Sequence, residues 1–534
     1  MQEPLLDLDD IQGNIYPGFN KDHQTFKFLG VSEDIPIARR ALAALIKEVA
    51  KSSSVREFAQ LRKAVKAAHG GGPSGLSATW MNLAFSFGGL VKLTSPGLAG
   101  SFAEPVFRVG LAARSVILGD PDDPNQPGHS STWQIGKPGA EPIDIVITIA
   151  ADRRQDADAF SDKIDRKLAM FQAQDGKLAL RAVLNDLKGD TLGGDLNGHE
   201  HFGFKDGVSQ PGIRGRIKGS PDTFVTERII APSSPLAQQF GRPGQVLVWP
   251  GQLLLGQPRQ NGMDALTPLD PLPLPRDWVQ NGSYMVLRLL EQDVAGFWNS
   301  MRSYAQQVEQ KADDRSVDWL AARVVGRWRS GAPLMRTPGQ DNPDFVRDNR
   351  VINDFRFRTD GVKPPLIPGQ PALPDLPLAM GDPDGNVCPF AAHIRKVNPR
   401  DDSVELGSPA DTLSRLLVRR GIPYGTPLAN PMQASLSEGD QPRGLIFVSY
   451  QASIEQQFEF LMRNWVNADG APRANSGRDA VLGRHVGANT SMRITDPDGV
   501  ERTVPQMADF IIPRGGGYFF APSLKGLDAI VSGG

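Results

Sequence analysis

The chain has 534 residues and a formal charge of −2; 40% of its residues are hydrophobic and 22% are charged. This composition is typical of a globular protein, and the length predicts two or more units with separate cores. The balanced charge gives no reason to expect a nucleic-acid or membrane partner. Cys388 is the only cysteine, which excludes intrachain disulfides and cysteine-based zinc sites.

The opening segment "MQEPLLDLDDIQGNIYPGF" is acidic and lacks the basic stretch and apolar core of a secretory signal. No apolar run in the sequence is long enough to span a bilayer. We therefore expect a cytoplasmic protein.

Hydrophobic periodicity predicts alternating strands and helices in the first half of the chain. The predicted strands are 25–32, 78–87 and 142–151, the predicted helices are 35–50 and 156–172, and segment 178–186 fits either. Segments 282–306 and 444–467 each predict a strand that runs into a helix. This order favours an α+β fold in which helices cover antiparallel sheets.

Two proline-rich segments, 256–278 and 362–386, interrupt the second half of the chain. Their proline density excludes regular helices and central strands, so we expect long loops. Several common active-site signatures are missing from the sequence: G-x-S-x-G, the Walker loop, G-x-G-x-x-G, H-E-x-x-H and C-x-x-C-H.

The stretch "HEHFGFKDGVSQP" (199–211) concentrates ionisable and aromatic residues between glycines. Its carboxylate Asp206 could cap a turn, hold a metal or move a proton. His199 and His201 are two residues apart and would share one face of a strand. They could form half of a metal site, although a pair that stabilises a turn is the simpler interpretation.

A second stretch, "CPFAAHIRKVNPRDD" (388–402), places His393 after apolar residues and before the cations Arg395, Lys396 and Arg400. A histidine beside a row of cations suits haem, whose iron binds imidazole and whose propionates bind arginine. The alternative is a core histidine followed by a solvated charged loop. On this pattern Arg395 and Arg400 are both candidate cofactor-binding residues.

Five motifs together with the N-terminal "DIQGNIYPGF" resemble those of the dye-decolourising peroxidases, in the order of that family's longer-chain, bacterial-type members. They are "GFKDG", "HIRKVNPR", "RRGIPYG", "GLIFVSYQ" and "GGGYFFAPS". The resemblance spans nearly the whole chain. It implies two ferredoxin-like domains, which we place at residues 1–225 and 226–534, with haem held mainly by the second.

The resemblance also implies roles for individual residues. Asp206 matches the distal acid–base residue, His393 the proximal iron ligand, and Arg419 the distal arginine, although the neighbouring Arg420 competes for that assignment. Arg400 is expected on a haem propionate. An unperturbed Asp has a pKa near ~3.9, against ~6.5 for His, so an aspartate base stays ionised in acid.

Leu445 and Phe447 match the apolar distal wall of the family's haem site. Asp479, in "GRDAVLG" (477–483), resembles the carboxylate that accepts the second ring N–H of the proximal histidine. Tyr424 is a candidate for carrying electrons from bulky substrates at the surface to the buried cofactor. A packed loop tyrosine is the equally weighted alternative.

The resemblance implies a peroxidase that reduces hydrogen peroxide and oxidises dyes or phenols. We expect one non-covalent haem b per chain, because the sequence has no C-x-x-C-H attachment motif. A non-catalytic haem-handling protein is the main alternative; it would use His393 and Arg400 but need neither Asp206 nor Arg419. A thiolate-ligated monooxygenase using Cys388 is a third hypothesis. The natural reductant and the oligomeric state stay open.

Overall fold

The computed structural model describes residues 2–70, 75–94, 102, 104–348, 350–353, 355–360, 380–402, 404, 407–433, 441–488, 490–505 and 507–533. Its α-helices are α1 Ile35–Ile46, α2 Ser52–Ala68, α3 Phe87–Leu93, α4 Pro105–Val109, α5 Arg154–Leu168, α6 Val294–Glu309, α7 Asp314–Val325, α8 His393–Val397 and α9 Leu524–Ser532. Two π-helical segments, Ile454–Glu459 and Leu461–Val466, follow one another.

The strands lie in both halves of the chain. They are β1 Leu5–Leu6, β2 His23–Val31, β3 Thr79–Phe85, β4 Ile145–Ala151, β5 Leu180–Ala182, β6 Leu187–Asp190, β7 Gly212–Ile213, β8 Arg216–Ile217, β9 Ser220–Phe224, β10 Leu247–Val248, β11 Ser283–Gln292, β12 Val418–Arg419, β13 Ile422–Tyr424, β14 Gly444–Gln451, β15 Ser491–Thr495, β16 Glu501–Pro505 and β17 Ile511–Ala521.

Within the described residues, ten strands form one antiparallel sheet with the order β12–β14–β11–β17–β3–β4–β2–β5; β13 also pairs with β14, and β6 with β2. The strands of the two halves meet through the pair Phe520–Phe85. The far edges also approach each other, because a Cβ atom on Gly189 of β6 would lie 2.4 Å from Cγ2 of Ile422 in β13. The sheet therefore curves into a nearly closed barrel.

Side chains alternate between the two faces of this sheet. In β11, Met285, Leu287 and Leu289 belong to the inner core of the barrel. Tyr284 and Val286 belong to the outer core, which also contains residues of helices α1 and α5. Helices thus cover the outer face. The arrangement confirms the predicted α+β class, with antiparallel strands covered by helices. Each half of the chain supplies its own strands to the sheet, as expected for two ferredoxin-like domains.

A third hydrophobic cluster joins α6 and α7 to the segment before α8 and to the hairpin β15–β16. This cluster supports α8 at the outer face of the second-half strands. The predicted domain boundary at 225/226 stays a prediction.

Most predicted elements occur near their expected positions. The ambiguous segment 178–186 contains the short strand β5, and the helix predicted after β14 is wound as π-helix. Segment 256–278 forms turns and a 3₁₀ turn that begins at Asp277, as its prolines predict. Most of the second proline-rich segment, residues 362–379, lies outside the described residues. No helix in the described part of the chain is long and apolar enough to cross a membrane.

Candidate active site

A cavity of about 830 Å³ lies where α8 and the π-helical segments face the outer side of β11 and β14. Leu445 and Phe447 of β14 form part of its sheet wall. His393 lies in the wall formed by the helices. Asp206, Arg419 and Arg400 also line the cavity, so the fold brings together residues from widely separated parts of the chain.

His393, the first residue of α8, is held by the buried carboxylate of Asp479. Its Nδ1 donates to Asp479 Oδ2 at 2.8 Å, while Asp479 Oδ1 accepts the backbone N–H groups of Val481 and Leu482 at 2.9 and 2.8 Å. Because Nδ1 carries the shared proton, Nε2 is left as the ring nitrogen with a free electron pair. Burial disfavours the charged ring, but the charge and hydrogen bond of Asp479 outweigh burial and raise the pKa of His393.

Asp206 and Arg419, which both line the cavity, contact each other. Arg419 Nη1 lies 3.4 Å from Asp206 Oδ1, and its Nη2 donates to the backbone oxygen of Ser209 at 3.0 Å. Gly207 donates its N–H to Asp206 Oδ1 at 2.6 Å and has a φ of 70°, a conformation that favours glycine. The GFKDG loop thereby fixes the direction of the carboxylate.

Gln210 positions the backbone of Arg419 through two reciprocal hydrogen bonds. Its side-chain oxygen accepts the Arg419 N–H, and its amide donates to the Arg419 carbonyl, both at 3.1 Å. Nothing in the sequence singled out Gln210, although it lies within the stretch 199–211.

Arg420 points away from the cavity, because adjacent strand residues face opposite sides. Its guanidinium donates to the carbonyls of Asn14, Ile15 and Pro17, at 3.0, 3.3 and 2.8 Å. Arg420 therefore holds the N-terminal loop "DIQGNIYPGF", and Arg419 is the arginine at the cavity.

Two cations lie in the cavity wall, the half-buried Arg400 and the buried Arg327. Both stack on Phe355, with Cζ 4.4 and 4.6 Å from the ring centroid. Arg327 donates to Gly331 O, Ile352 O and Asn353 Oδ1, which are neutral acceptors. Burial lowers the pKa of Arg400 to about 10. Burial, followed by the charges of Arg400 and Arg419, holds the pKa of Arg327 well below its usual value.

This concentration of positive charge would be relieved by an anionic ligand. Nothing in the sequence singled out Arg327, which follows α7 and belongs to no recognisable motif.

The structure places Arg395, a candidate cofactor-binding residue, away from the cavity. Its buried guanidinium is bonded to Asp402 and Asp382, at 2.9 and 3.1 Å, and to the carbonyl of Cys388. Lys396 is likewise directed to the carbonyls of Ala468 and Ala471. Because these side chains turn into the protein behind α8, neither belongs to the cavity wall.

Tyr424 lies half-buried at the end of β13, outside the cavity wall. Burial and then the charge of Glu291 raise the pKa of its phenol. His201 donates from Nε2 to the Tyr424 carbonyl at 2.8 Å, while the ring of His199 bonds to the backbone oxygen of Asn197. Among the described residues, no group of three or more His, Cys, Asp or Glu side chains could hold a metal ion. The hypothesis of half a metal site is therefore not supported.

Cys388 is fully buried, and burial raises the pKa of its thiol to about 12. It is not part of the cavity wall, and this argues against the thiolate hypothesis.

The outer face of β11 supplies further polar residues to the cavity that the sequence did not reveal. Arg288 Nη2 lies 2.8 Å from each carboxylate oxygen of Asp120. Gln292, four residues along the same face, contacts Glu200. All four residues line the cavity. For Arg288 and Gln292 the only signal in the sequence is the period-two spacing of β11.

Comparison with known proteins assigns the chain to a family. Residues 10–177 match the family described as "DyP dimeric alpha+beta barrel domain", and residues 272–475 match "Dyp-type peroxidase, C-terminal". The dye-decolorizing peroxidase msp1 of Mycetinis scorodonius is 30% identical over 539 residues, covering 99% of this chain and 88% of that protein. The multifunctional dye peroxidase of an Amycolatopsis strain is 28% identical over 553 residues, covering 98% and 96% of the two chains.

Solved structures agree with these sequence matches. A dye-decolorizing peroxidase in complex with 2,6-dimethoxyphenol has a TM-score of 0.72 and 28% sequence identity, with 99% of this chain and 100% of that chain covered. The matches span both halves of the barrel and the cavity between β14 and α8. The chain therefore belongs to the dye-decolourising peroxidases, a family of haem enzymes.

Proposed function

We propose that this peroxidase binds one non-covalent haem b per chain, with His393 as the iron ligand and Asp206 as the distal acid–base residue. The observation that carries the proposal is the shared cavity: a histidine held by Asp479 lies in one wall, and the Asp206–Arg419 pair lies in the same cavity. A haem-handling protein needs the first feature but not the second.

The cavity suits haem in size and in chemistry. Its volume of about 830 Å³ lies within the ~300–1,000 Å³ that is usual for cofactor sites. Leu445 and Phe447 offer apolar contacts to a flat macrocycle. The buried Arg327 and the half-buried Arg400 offer cations to its carboxylates, and among described residues neither has an acidic hydrogen-bond partner.

The bound haem supplies iron redox chemistry, and the surrounding residues direct protons and charge. Asp206 accepts a proton from one peroxide oxygen and returns it to the other, so that one positioned carboxylate serves as base and acid. Arg419 stabilises the negative charge that develops as the O–O bond breaks. Asp479 fixes the ring of His393 and makes its Nε2 a stronger donor to metal.

Dyes and phenols are the proposed reducing substrates. This agrees with the family and with the phenol named in the complex of the related peroxidase. A small phenol can approach the cavity directly, whereas a bulky dye needs a contact at the surface. Tyr424 remains the proposed relay for bulky dyes because it is half-buried and close in the chain to Arg419.

The test is rapid mixing of haem-loaded protein with hydrogen peroxide. Asp206→Asn and Arg419→Leu should both retain haem, because neither residue is assigned to iron. Each should slow the first spectral change by about 10²–10⁴-fold. Arg420→Leu is the matched control, because Arg420 is adjacent in sequence but bonded to the N-terminal loop. Wild-type protein that binds haem without reacting with peroxide would favour the haem-handling alternative. Unchanged rates in Asp206→Asn would make Asp206 structural.

A further inference from the structure

Glu200 is a further carboxyl group in the cavity wall that holds Asp206, and it differs from Asp120, which is paired with Arg288. It precedes Asp206 in the same loop and folds back over that loop. Its Oε1 accepts the N–H of Phe204 and its Oε2 the N–H of Phe202, both at 2.8 Å. The side-chain amide of Gln292 donates a third hydrogen bond, to Oε2. Among the described residues, no Lys, Arg or His forms an ion pair with Glu200.

The surroundings of Glu200 favour its neutral form. Burial is the largest influence and raises the pKa, the hydrogen bonds from Phe202, Gln292 and Phe204 lower it, and the charge of Asp206 raises it further. The result is a pKa of about 7. Asp206 is the charged group that raises the pKa of Glu200, and the three groups that donate hydrogen bonds to it, from Phe202, Phe204 and Gln292, are neutral. Glu200 can therefore gain or lose a proton near neutrality.

Gln292 can serve both charge states of Glu200. In the structure its amide nitrogen donates to the carboxylate, and its Oε1 is buried with no hydrogen-bond partner in the described part of the chain. A half-turn of the amide exchanges these two atoms. Oε1 would then accept the O–H of a protonated Glu200. The unpartnered oxygen thus has a role only when Glu200 carries a proton.

We infer that Glu200, together with Gln292, is a second proton-holding site that recharges Asp206 during turnover. The inference rests on the proposed function, in which Asp206 is the acid–base residue. Reduction of one hydrogen peroxide to two water molecules consumes two electrons and two protons. The phenol or dye gives up the electrons, and the protons released by its oxidation go to solvent. The proton that Asp206 moves between the two peroxide oxygens is the peroxide's own, so both consumed protons come from another source, and Glu200 passes them to Asp206 one at a time.

The transfer itself involves only O–H bonds. Protonated Glu200 loses its proton and becomes a carboxylate, while the Asp206 carboxylate becomes a carboxylic acid. A cavity of about 830 Å³ has room for water to carry the proton between them. Glu200 then takes a new proton from solvent, and Gln292 turns its amide to match each state.

The test compares Glu200→Gln with Glu104→Gln in haem-loaded protein. Glu104 is a suitable control because it also accepts two backbone N–H groups, from Ile454 and Glu455 at 2.9 and 3.2 Å, and lies outside the cavity wall. Phenol turnover is measured across the pH range, and infrared difference spectra record protonated carboxyl groups. We expect a step in turnover and a titrating carboxyl band near pH 7 in the wild type.

Glu200→Gln should lose both the step and the band, and its turnover below neutrality should fall at least about tenfold. Glu104→Gln should keep the turnover step. An active wild type whose pH profile is unaltered by Glu200→Gln overturns this inference alone. A uniform fall at every pH, with the band retained, also overturns it and makes Glu200 a brace of the loop. Wild-type protein inert toward peroxide contradicts the proposed function and this inference together.

Discussion

Replacement of Asp479 by asparagine should weaken haem binding by changing the tautomer of His393. Asp479 Oδ1 accepts two backbone N–H groups, from Val481 and Leu482. In the asparagine variant, the side-chain oxygen would stay at the position of Oδ1, because these two donors pair with it. The NH₂ group would then take the position of Oδ2 and face His393 Nδ1. Two donors cannot pair, so the histidine proton moves to Nε2, the nitrogen assigned to iron.

The size of this effect follows from the bond that is lost. A hydrogen bond to a charged group contributes about 1.5–3 kcal/mol. The His393–Asp479 bond is 2.8 Å long, with Asp479 fully buried and the His393 side chain 30% exposed. Loss of an outer-sphere partner typically costs about 10–100-fold in metal affinity, which corresponds to about 1.4–2.7 kcal/mol. The two ranges agree, so we expect a 10–100-fold higher Kd for haem in Asp479→Asn.

Titration of the apoprotein with haem, followed by absorption, measures this Kd. Asp382→Asn is the matched control, because Asp382 is another buried aspartate that accepts backbone N–H groups, from Asn386 and Cys388, but contacts Arg395 instead of His393. Both variants are expected to lose stability, and only Asp479→Asn should lose haem affinity. Equal haem affinity in wild type and Asp479→Asn would refute the reasoning.

Three further changes have distinct expected outcomes. Arg420→Leu should lower the unfolding midpoint, because it removes the hydrogen bonds that hold the N-terminal loop. Its rate of reaction with peroxide should stay within about twofold of wild type. A rate loss as large as that of Arg419→Leu would show that we assigned the wrong arginine. The pKa of Glu200 is about 7 in the folded wild type, against 4.5 in the unfolded chain, so the folded state binds this proton more tightly. The contribution of Glu200 to the free energy of unfolding therefore falls by about 2.5 kcal/mol between about pH 5 and pH 8, as the proton is lost. Urea unfolding should show that fall in the wild type and not in Glu200→Gln. Tyr424→Phe should selectively reduce turnover of a bulky dye and spare a small phenol; equal dye turnover in both proteins would remove Tyr424 as the relay.

Local motifs predicted the residues whose roles depend on their immediate neighbours. Asp206 is fixed by Gly207 in its own loop, and His393 begins the helix that its motif marks. The choice between Arg419 and Arg420 required the structure, because it depends on which side of β12 faces the cavity. The position of Arg395 outside the cavity wall also required the structure, because a row of cations in the sequence does not reveal that Asp382 and Asp402 pair with Arg395.

Contacts between distant segments were the least accessible to sequence reasoning. The pair Phe85–Phe520 and the approach of Gly189 to Ile422 close the barrel, yet each residue alone reads as an ordinary strand residue. Arg327, at the end of α7, could not be found from the sequence either, because only tertiary packing brings it beside Arg400.

The most direct test of the central claim is a haem titration of His393→Gly with and without imidazole. If His393 is the iron ligand, the variant should bind haem weakly and with an altered absorption spectrum. Imidazole should then restore the wild-type spectrum, because it can occupy the space of the missing ring and donate the same hydrogen bond to Asp479. Wild-type affinity and spectrum in His393→Gly without imidazole would contradict the account.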